Sequence, residues 1–355
     1  MRVSYLNSKY NMKTEDKGVL IIYTGGTIGM MNDPITGSLC PFSFDEIAKE
    51  VPEINEFTFN IETLIFDDLI DSSNLKPEVW VNLCNIIKEN YEKYDGFVIL
   101  HGTDTMAYTA SALSFMIDNL AKPIVLTGSQ LPIGKIRTDG KENLITAIEI
   151  AAAKENGEAI VPEVCLFFGE KLFRGNRTTK FTAEHFNAFS SHNYPSLAKV
   201  GIHIHYKYRV IEGASKEETI SVSTRIDNNI AVLKIFPGIN ENIVDAMINA
   251  KGLKALIIES YGAGNAPTEK WFINKIQKAL DKGVIVYNVT QCQAGRVDMG
   301  RYETSLDLLN MGVVSGHDIT IEAAVTKLMY LLGKCDDINE VRNALNISLK
   351  GEISY

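Results

Sequence analysis

The sequence predicts an α/β protein of two domains, each built on mostly parallel strands, and three observations carry that prediction. Short apolar runs such as GVLIIY (18–23), FVILH (97–101) and VCLFF (164–168) alternate with longer segments of helical period. The alternation dissolves between about 204 and 229 into the polar stretch HYKYRVIEGASKEETISVSTRIDNN, then restarts. The chain has 355 residues, more than the roughly 250–300 at which a single hydrophobic core stops growing. The expected boundaries are 1–205 for a larger N-terminal α/β domain, 206–229 for a linker and 230–355 for a smaller C-terminal α/β domain.

In order, GVLIIY is the first clear strand and runs into TGGTIG. FTFNIETLIF (57–66) reads as a second strand. Pro77 opens a helix through about Tyr91, at the first-turn position where a missing N–H costs nothing. FVILH is a buried strand, followed by GTDT and the helix MAYTASALSFMIDNL (106–120), whose apolar residues at 106, 110, 113, 116, 117 and 120 share one face. PIVLTG (123–128), a helix near 141–153 and VCLFF extend the sheet. Beyond the linker, strands at 230–236, 254–260 and 284–290 alternate with helices at 240–250, 268–283 and 319–335.

Composition narrows the function. With 44 acidic and 35 basic side chains the net charge is −9, and no lysine or arginine block breaks the trend, which argues against a nucleic-acid surface. A hydrophobic content of 45% is too high for a disordered chain. No stretch approaches the ~18 consecutive apolar residues of a membrane span, and MRVSYLNSKYNMKTEDK contains no signal-peptide core. Cys40, Cys84, Cys165, Cys292 and Cys335 are odd in number and include no CxxC pair, so neither a disulfide framework nor a zinc site is expected. The reading is a reduced, cytoplasmic protein, and the negative charge says little about its substrate.

In open parallel sheets, ligands bind beyond the carboxyl ends of the strands. That rule selects TGGTIG (24–29), HGTDT (101–105), TGSQ (127–130) and SYGAGN (260–265). TGGTIG is not GxGxxG and lacks the P-loop lysine, so alone it is as well explained by a tight strand-to-helix turn with capping threonines. Thr103-Asp104-Thr105 alone reads as a helix cap. RGNRTTK (174–180) is either a solvated basic loop or, with a phosphate to hold, a clamp. A lysine beside an aspartate and a threonine is, however, a way to activate a hydroxyl, and all three segments together favour that chemistry. His101 is the one histidine at a crevice-facing strand end, and it reads as a core residue rather than a base.

YTGGTIG, DGFVILHGTDTMAYTASALSFM, RGNRTTK, ESYGAGNAP and GHDITIEAAVTKL, in that order, resemble the bacterial-type L-asparaginase family, and in particular its cytoplasmic type I branch. The similarity covers essentially the whole chain after about residue 17. It implies the two-domain asparaginase-like fold, with a larger N-terminal parallel-sheet domain and a smaller flavodoxin-like one. It also implies hydrolysis of L-asparagine to L-aspartate and ammonia with no metal or organic cofactor. By the same resemblance the first catalytic threonine is Thr27, and Thr103, Asp104 and Lys180 form the second catalytic group. Which threonine acts first is left open. Ser72, in the Asp71-Ser72-Ser73 turn, would hold the substrate α-carboxylate, and Asp104 its α-ammonium. Ser129 matches a residue whose backbone carbonyl contacts the side-chain amide. Asn265 matches one that reaches a neighbouring subunit's site, which implies a homodimer or homotetramer. Without the resemblance, the Asp-Ser-Ser turn would be read as a helix-entry cap.

Two departures stand out. The family's lid after TGGT carries a tyrosine, whereas this chain has MMNDPITGSLCP there, with Ser38 near the tyrosine's place. Some cytoplasmic members bind asparagine at a second, regulatory site through an arginine just before SYG. Here Glu259 occupies that place, although Thr179 and Cys292 match other positions of the site. The rival functions are a glutaminase-asparaginase, an amidotransferase-type subunit, which usually carries an appended N-terminal domain, and a catalytically silent asparagine sensor.

Overall fold

The structure is a computed structural model, and it describes residues 3–10, 17–32, 39–41, 49–213, 219–301 and 303–355. The chain forms two compact units: Met1–Ser191 with Pro195–Ser223, and His192–Tyr194 with Thr224–Tyr355.

The first unit is organised by a nine-stranded sheet. Its strands are β1 (Val3–Tyr10), β2 (Val19–Tyr23), β3 (Ile61–Phe66), β4 (Gly96–Leu100), β5 (Ile124–Thr127), β6 (Val164–Phe168), β7 (Lys171–Arg174), β8 (Ala198–Val200) and β9 (Ile204–Tyr206), in the order β1-β3-β2-β4-β5-β6-β7-β8-β9. The five inner strands β3, β2, β4, β5 and β6 are parallel, and antiparallel strands flank them on both sides, so the expected parallel sheet is a mixed one. The inner strands are continuous Val/Ile/Leu runs because both faces are covered: every side chain of β2 and β4 is buried. Helices α1 (Pro77–Asn90), α2 (Met106–Met116) and α3 (Gly140–Ala152) connect them.

Helix α2 differs from its expected form. It is buried on nearly all sides and not only on the face of its larger apolar residues, because Ala107, Thr109, Ala110, Ser111 and Ala112 are small enough to pack against neighbours. It ends at Met116, where Ile117–Asp118 turns into a short strand paired with Ser221–Val222. That pairing places part of the 206–229 segment in the first unit.

The second unit has a four-stranded parallel sheet, β10 (Ile230–Lys234), β11 (Ala255–Ser260), β12 (Ile285–Thr290) and β13 (Val314–Ser315), in sequential order. The amphipathic helices α4 (Glu241–Ile248) and α5 (Lys270–Asp281) bury Val244, Ile248, Phe272 and Ile276 in its core. Three further helices complete it: α6 (Glu303–Asn310), α7 (Ile321–Lys334) and α8 (Ile338–Leu345). Among the described residues no helix is long and apolar enough to cross a membrane.

Candidate active site

Register sets the site. Tyr23 pairs with Leu100 and Leu100 with Thr127, so β2, β4 and β5 end at one level and send their loops to the same edge. Those loops meet backbone to backbone. Gly26 (φ +93°) leaves so little room that a Cβ there would lie 2.5 Å from the Gly102 nitrogen. A Cβ on Gly25 (φ +130°) would lie 2.3 Å from the Ile70 carbonyl oxygen, one on Gly102 2.5 Å from Ser72 Oγ, and one on Gly128 2.4 Å from the His101 carbonyl oxygen. Glycine is required at 25 and 26 by conformation as well as space. Ser72 itself makes one of these contacts, and Thr27, Thr103 and Ser129 each follow a glycine that makes one.

Thr27 opens a single 3₁₀ turn, Thr27–Gly29, is half-buried, and accepts a backbone bond from the Met30 N–H. Thr103 has a fuller set of partners. Lys180 Nζ donates to Thr103 Oγ1 at 2.9 Å and stands 2.7 Å from Asp104 Oδ1, while the Thr103 hydroxyl donates to Gln130 Oε1 at 3.3 Å. The Lys180 side chain is only 17% exposed and that of Asp104 64%, so the ammonium is sheltered and the carboxylate is open to solvent. The Thr103-Asp104-Thr105 cluster is not consumed by capping. Helix α2 starts without a side-chain cap, and Thr105 Oγ1 instead donates to the Ser72 carbonyl at 2.8 Å.

RGNRTTK is not a solvated basic loop. Arg174, Asn176 and Arg177 are buried, and Arg174 Nε and Nη2 donate to the Glu163 carboxylate at 2.7 and 3.2 Å. The segment leads into Thr179–Lys180, a two-residue strand paired with Phe189–Ser190, which fixes the base of the lysine stem.

Asp71 is a cap, but of the short 3₁₀ turn Ser72–Asn74 and not of α1, which starts after Lys76 without a side-chain cap. Its Oδ1 accepts from the Ser73 N–H at 3.0 Å and the Ser73 hydroxyl at 2.9 Å, and these bonds hold its carboxyl below the usual range. Ser72 is buried at the Gly102 contact. The Ser129 hydroxyl turns into its own loop and donates to the Leu131 carbonyl at 2.6 Å.

Sequence reasoning missed the residues that brace these loops. The Asp139 carboxylate accepts from the backbone N–H groups of Gln130 and Leu131 at 3.0–3.1 Å. Asn143, one helical turn further on, donates to the Gly128 carbonyl at 2.9 Å and accepts from the Gly169 N–H at 3.0 Å. Only the four-residue spacing of Asp139 and Asn143 at the start of α3 hinted at a shared role. His101 is buried, with Nδ1 2.7 Å from the Gly102 carbonyl and Nε2 2.9 Å from Thr109 Oγ1, which also accepts from Trp80 Nε1 at 3.0 Å. These partners make Nδ1 the donor and Nε2 the acceptor, and burial pushes the imidazole down to about 4. It is a neutral core residue, as its sequence context indicated.

Asn265 belongs to the second unit, at the carboxyl end of β11. It closes a tight loop by exchanging backbone bonds with Tyr261, at 2.8 and 2.9 Å. Two β12 side chains clip that loop from below: Asn288 Nδ2 donates to the Gly264 carbonyl at 3.1 Å and Thr290 Oγ1 to that of Gly262 at 2.6 Å. Glu259 lies 3.8 Å from Lys234 Nζ. Ser38 lies outside the described residues. Among the described residues no group of three or more His, Cys, Asp or Glu is arranged to hold a metal ion.

The chain matches the family model "Asparaginase, N-terminal" over residues 18–212 and "Glutaminase/Asparaginase C-terminal domain" over 229–345. It is 43% identical to L-asparaginase 1 of Escherichia coli (strain K12), over 96% of this chain and 99% of that protein. Among solved structures, L-asparaginase I from Vibrio cholerae superposes with a TM-score of 0.86 at 40% identity, covering 96% of this chain and all of that one. The thermostable L-asparaginase from Thermococcus kodakarensis superposes with a TM-score of 0.87 at 34% identity, covering 95% of this chain and 99% of that one. With two family models spanning most of its length and such relatives matched end to end, the chain belongs to the asparaginase family.

Proposed function

We propose that the chain is a cytoplasmic L-asparaginase that hydrolyses the side-chain amide of L-asparagine through Thr27. The Thr27 hydroxyl attacks the amide carbon, its proton goes to the amide nitrogen, and the C–N bond breaks to release ammonia and leave a β-acyl ester on Thr27. Water then adds to the ester. One of its protons returns to the Thr27 oxygen as the ester bond breaks, and L-aspartate leaves. Thr103, gripped between Lys180 and Gln130, orders that water and passes its proton, while Lys180 offsets the developing negative charge. The exposed Asp104 carboxylate faces the substrate ammonium, and the buried Ser72 holds the α-carboxylate.

The observation that carries this reading is the placement of one sheltered ammonium, Lys180 Nζ, within 2.9 Å of the Thr103 hydroxyl and 2.7 Å of Asp104. Asn265 is assigned to a neighbouring subunit's site, in a homodimer or homotetramer. Cytoplasmic placement is supported by Cys84, Cys165, Cys292 and Cys335, all of which are free thiols.

Ammonia release from purified protein supplied with L-asparagine tests the proposal. Wild type releases ammonia and aspartate in equal amounts, and Thr27→Ala, folded by circular dichroism, loses about 10³-fold or more in kcat. A folded Thr27→Ala variant with near-wild-type turnover would overturn the nucleophile assignment. Wild type that binds asparagine without releasing ammonia would make the chain a sensor.

A further inference from the structure

We infer that Tyr23 and Gly29 are a size-matched pair that sets the position of Thr27, with Tyr23 as a positioning residue; the inference rests on the assignment of Thr27 as nucleophile. Tyr23 is the last residue of β2 and is fully buried. Its ring passes beneath the turn that carries Thr27. A Cβ on Gly29 would lie 2.0 Å from Tyr23 Oη, 2.2 Å from Cζ and 2.8 Å from Cε2. Unlike Gly25 and Gly26, Gly29 has no positive φ, so its backbone suits any residue and only the tyrosine ring excludes a side chain.

The pair is mechanically close to the nucleophile. Gly29 and Thr27 are the two ends of one 3₁₀ turn, closed by the Met30 N–H on the Thr27 carbonyl. Tyr23 cannot yield easily, because the next residue is pinned to β4 by two bonds: the Thr24 N–H at 3.1 Å and the Thr24 hydroxyl at 2.9 Å both reach the Leu100 carbonyl. The Tyr23 hydroxyl is buried with no hydrogen-bond partner among the described residues. Its contribution is therefore the space it fills, which is the space a side chain at 29 would need. Adding one methyl at 29 forces the turn or the ring to give by more than about 1 Å, and a misplacement of that size at a reacting group costs on the order of 10²-fold in rate.

The test is a double-mutant cycle read in kcat, KM and Tm. Gly29→Ala lowers kcat for asparagine about 100-fold with KM changed less than threefold. Tyr23→Leu removes the three clashing atoms while keeping the inner part of the side chain, and Gly29→Ala/Tyr23→Leu recovers at least tenfold in kcat over Gly29→Ala. Tyr23→Phe keeps Cζ and Cε2 and gives no rescue. Effects that multiply independently, or rescue by phenylalanine equal to that by leucine, would overturn the pairing, as would Gly29→Ala with wild-type kcat. If Gly29→Ala alone does not fold, a folded and active double variant supports the pairing and an unfolded or inactive one overturns it. An inactive Thr27→Ala beside an additive cycle refutes the pairing alone, whereas an active Thr27→Ala removes the nucleophile and the positioning role together.

Discussion

His101 stands immediately before the Gly-Thr-Asp loop, and its pH behaviour separates a structural histidine from a catalytic one. Its imidazole is held neutral between the Gly102 carbonyl and Thr109 Oγ1, and burial moves its pKa from 6.5 to about 4. Between those values the unfolded chain carries a proton that the folded chain does not, so stability rises with pH through this window and falls as pH drops from 6.5 toward 4. Each pH unit in the window is worth about 1.4 kcal/mol. The full loss is about 3 kcal/mol, of which about 2 is reached by pH 5. Carboxylates titrate over part of the same range, so the informative quantity is the difference between wild type and His101→Asn, a variant whose amide can still donate to the Gly102 carbonyl and does not titrate. Urea unfolding at pH 7.5 and pH 5.0 should show the variant less stable at the higher pH, through lost ring packing. The gap should close by about 2 kcal/mol at the lower pH. The kcat/KM profile of wild type should have no limb near 6.5 that depends on this residue. A constant stability gap at both pH values, or a limb near 6.5 that disappears in His101→Asn, would refute the account of His101 as a neutral brace.

Two further outcomes follow from charged groups in the second unit. Lys327 and Glu352 form a fully buried ion pair at 2.7 Å, with the lysine also donating to the Ile347 carbonyl at 2.6 Å. Lys327→Met alone should therefore cost roughly 3–5 kcal/mol in urea unfolding, and Lys327→Met/Glu352→Gln should recover part of it; equal losses in the two variants would show that no charge is stranded. Velocity against asparagine concentration should be hyperbolic, with a Hill coefficient near one. Glu259 would repel a regulatory carboxylate about 4 Å away by about 4 kcal/mol at an effective dielectric of 20, less what Lys234 Nζ, 3.8 Å from Glu259, offsets, and Lys254 is already engaged with Asp227 at 2.6 Å; sigmoidal kinetics abolished by mutating Thr179 or Cys292 would refute this.

How much of the molecule was legible in the sequence depended on whether a segment had one dominant environment. The runs at 18–23, 97–101 and 164–168 correspond to β2, β4 and β6 within a residue, because strands buried on both faces are apolar without interruption. The run at 57–66 shortens to β3, Ile61–Phe66, since Phe57–Asn60 bend before the strand begins. Strands β1, β7, β8 and β9 were not anticipated. They are mixed in polarity, and their partners lie in neighbouring antiparallel strands that no local period announces. Helices α6 and α8 are eight residues each, too short for a periodic pattern to stand out. In the site, the threonines and Lys180 could be nominated from motif and order, but Gln130, Asp139 and Asn143 act through bonds to other loops, of which the spacing of Asp139 and Asn143 is the one hint in the sequence.

The same distinction explains how the site divides its work. Thr27, Ser72 and Thr103 stand where main chain meets main chain or a short side chain, and a backbone wedged against another backbone has no rotamer through which to relax. This suits the proposed roles of these groups, which would have to attack or grip within a fraction of an ångström. Lys180 is different: it arrives from a strand about 76 residues further along the chain, on a flexible four-carbon stem, and is fixed at its tip by Thr103 and Asp104. On the proposed mechanism that ammonium offsets the charge that develops and retreats over two chemical steps, a role that suits a cation sheltered beside Thr103. The rigidity behind it is supplied further back, where Arg174 and Glu163 lock the start of RGNRTTK inside the first unit. On the proposed mechanism, glycine-rich, hydroxyl-rich loops on the strand ends and a lysine on a buried basic segment thus meet two demands, fixed geometry for the nucleophile and a sheltered positive charge beside Thr103.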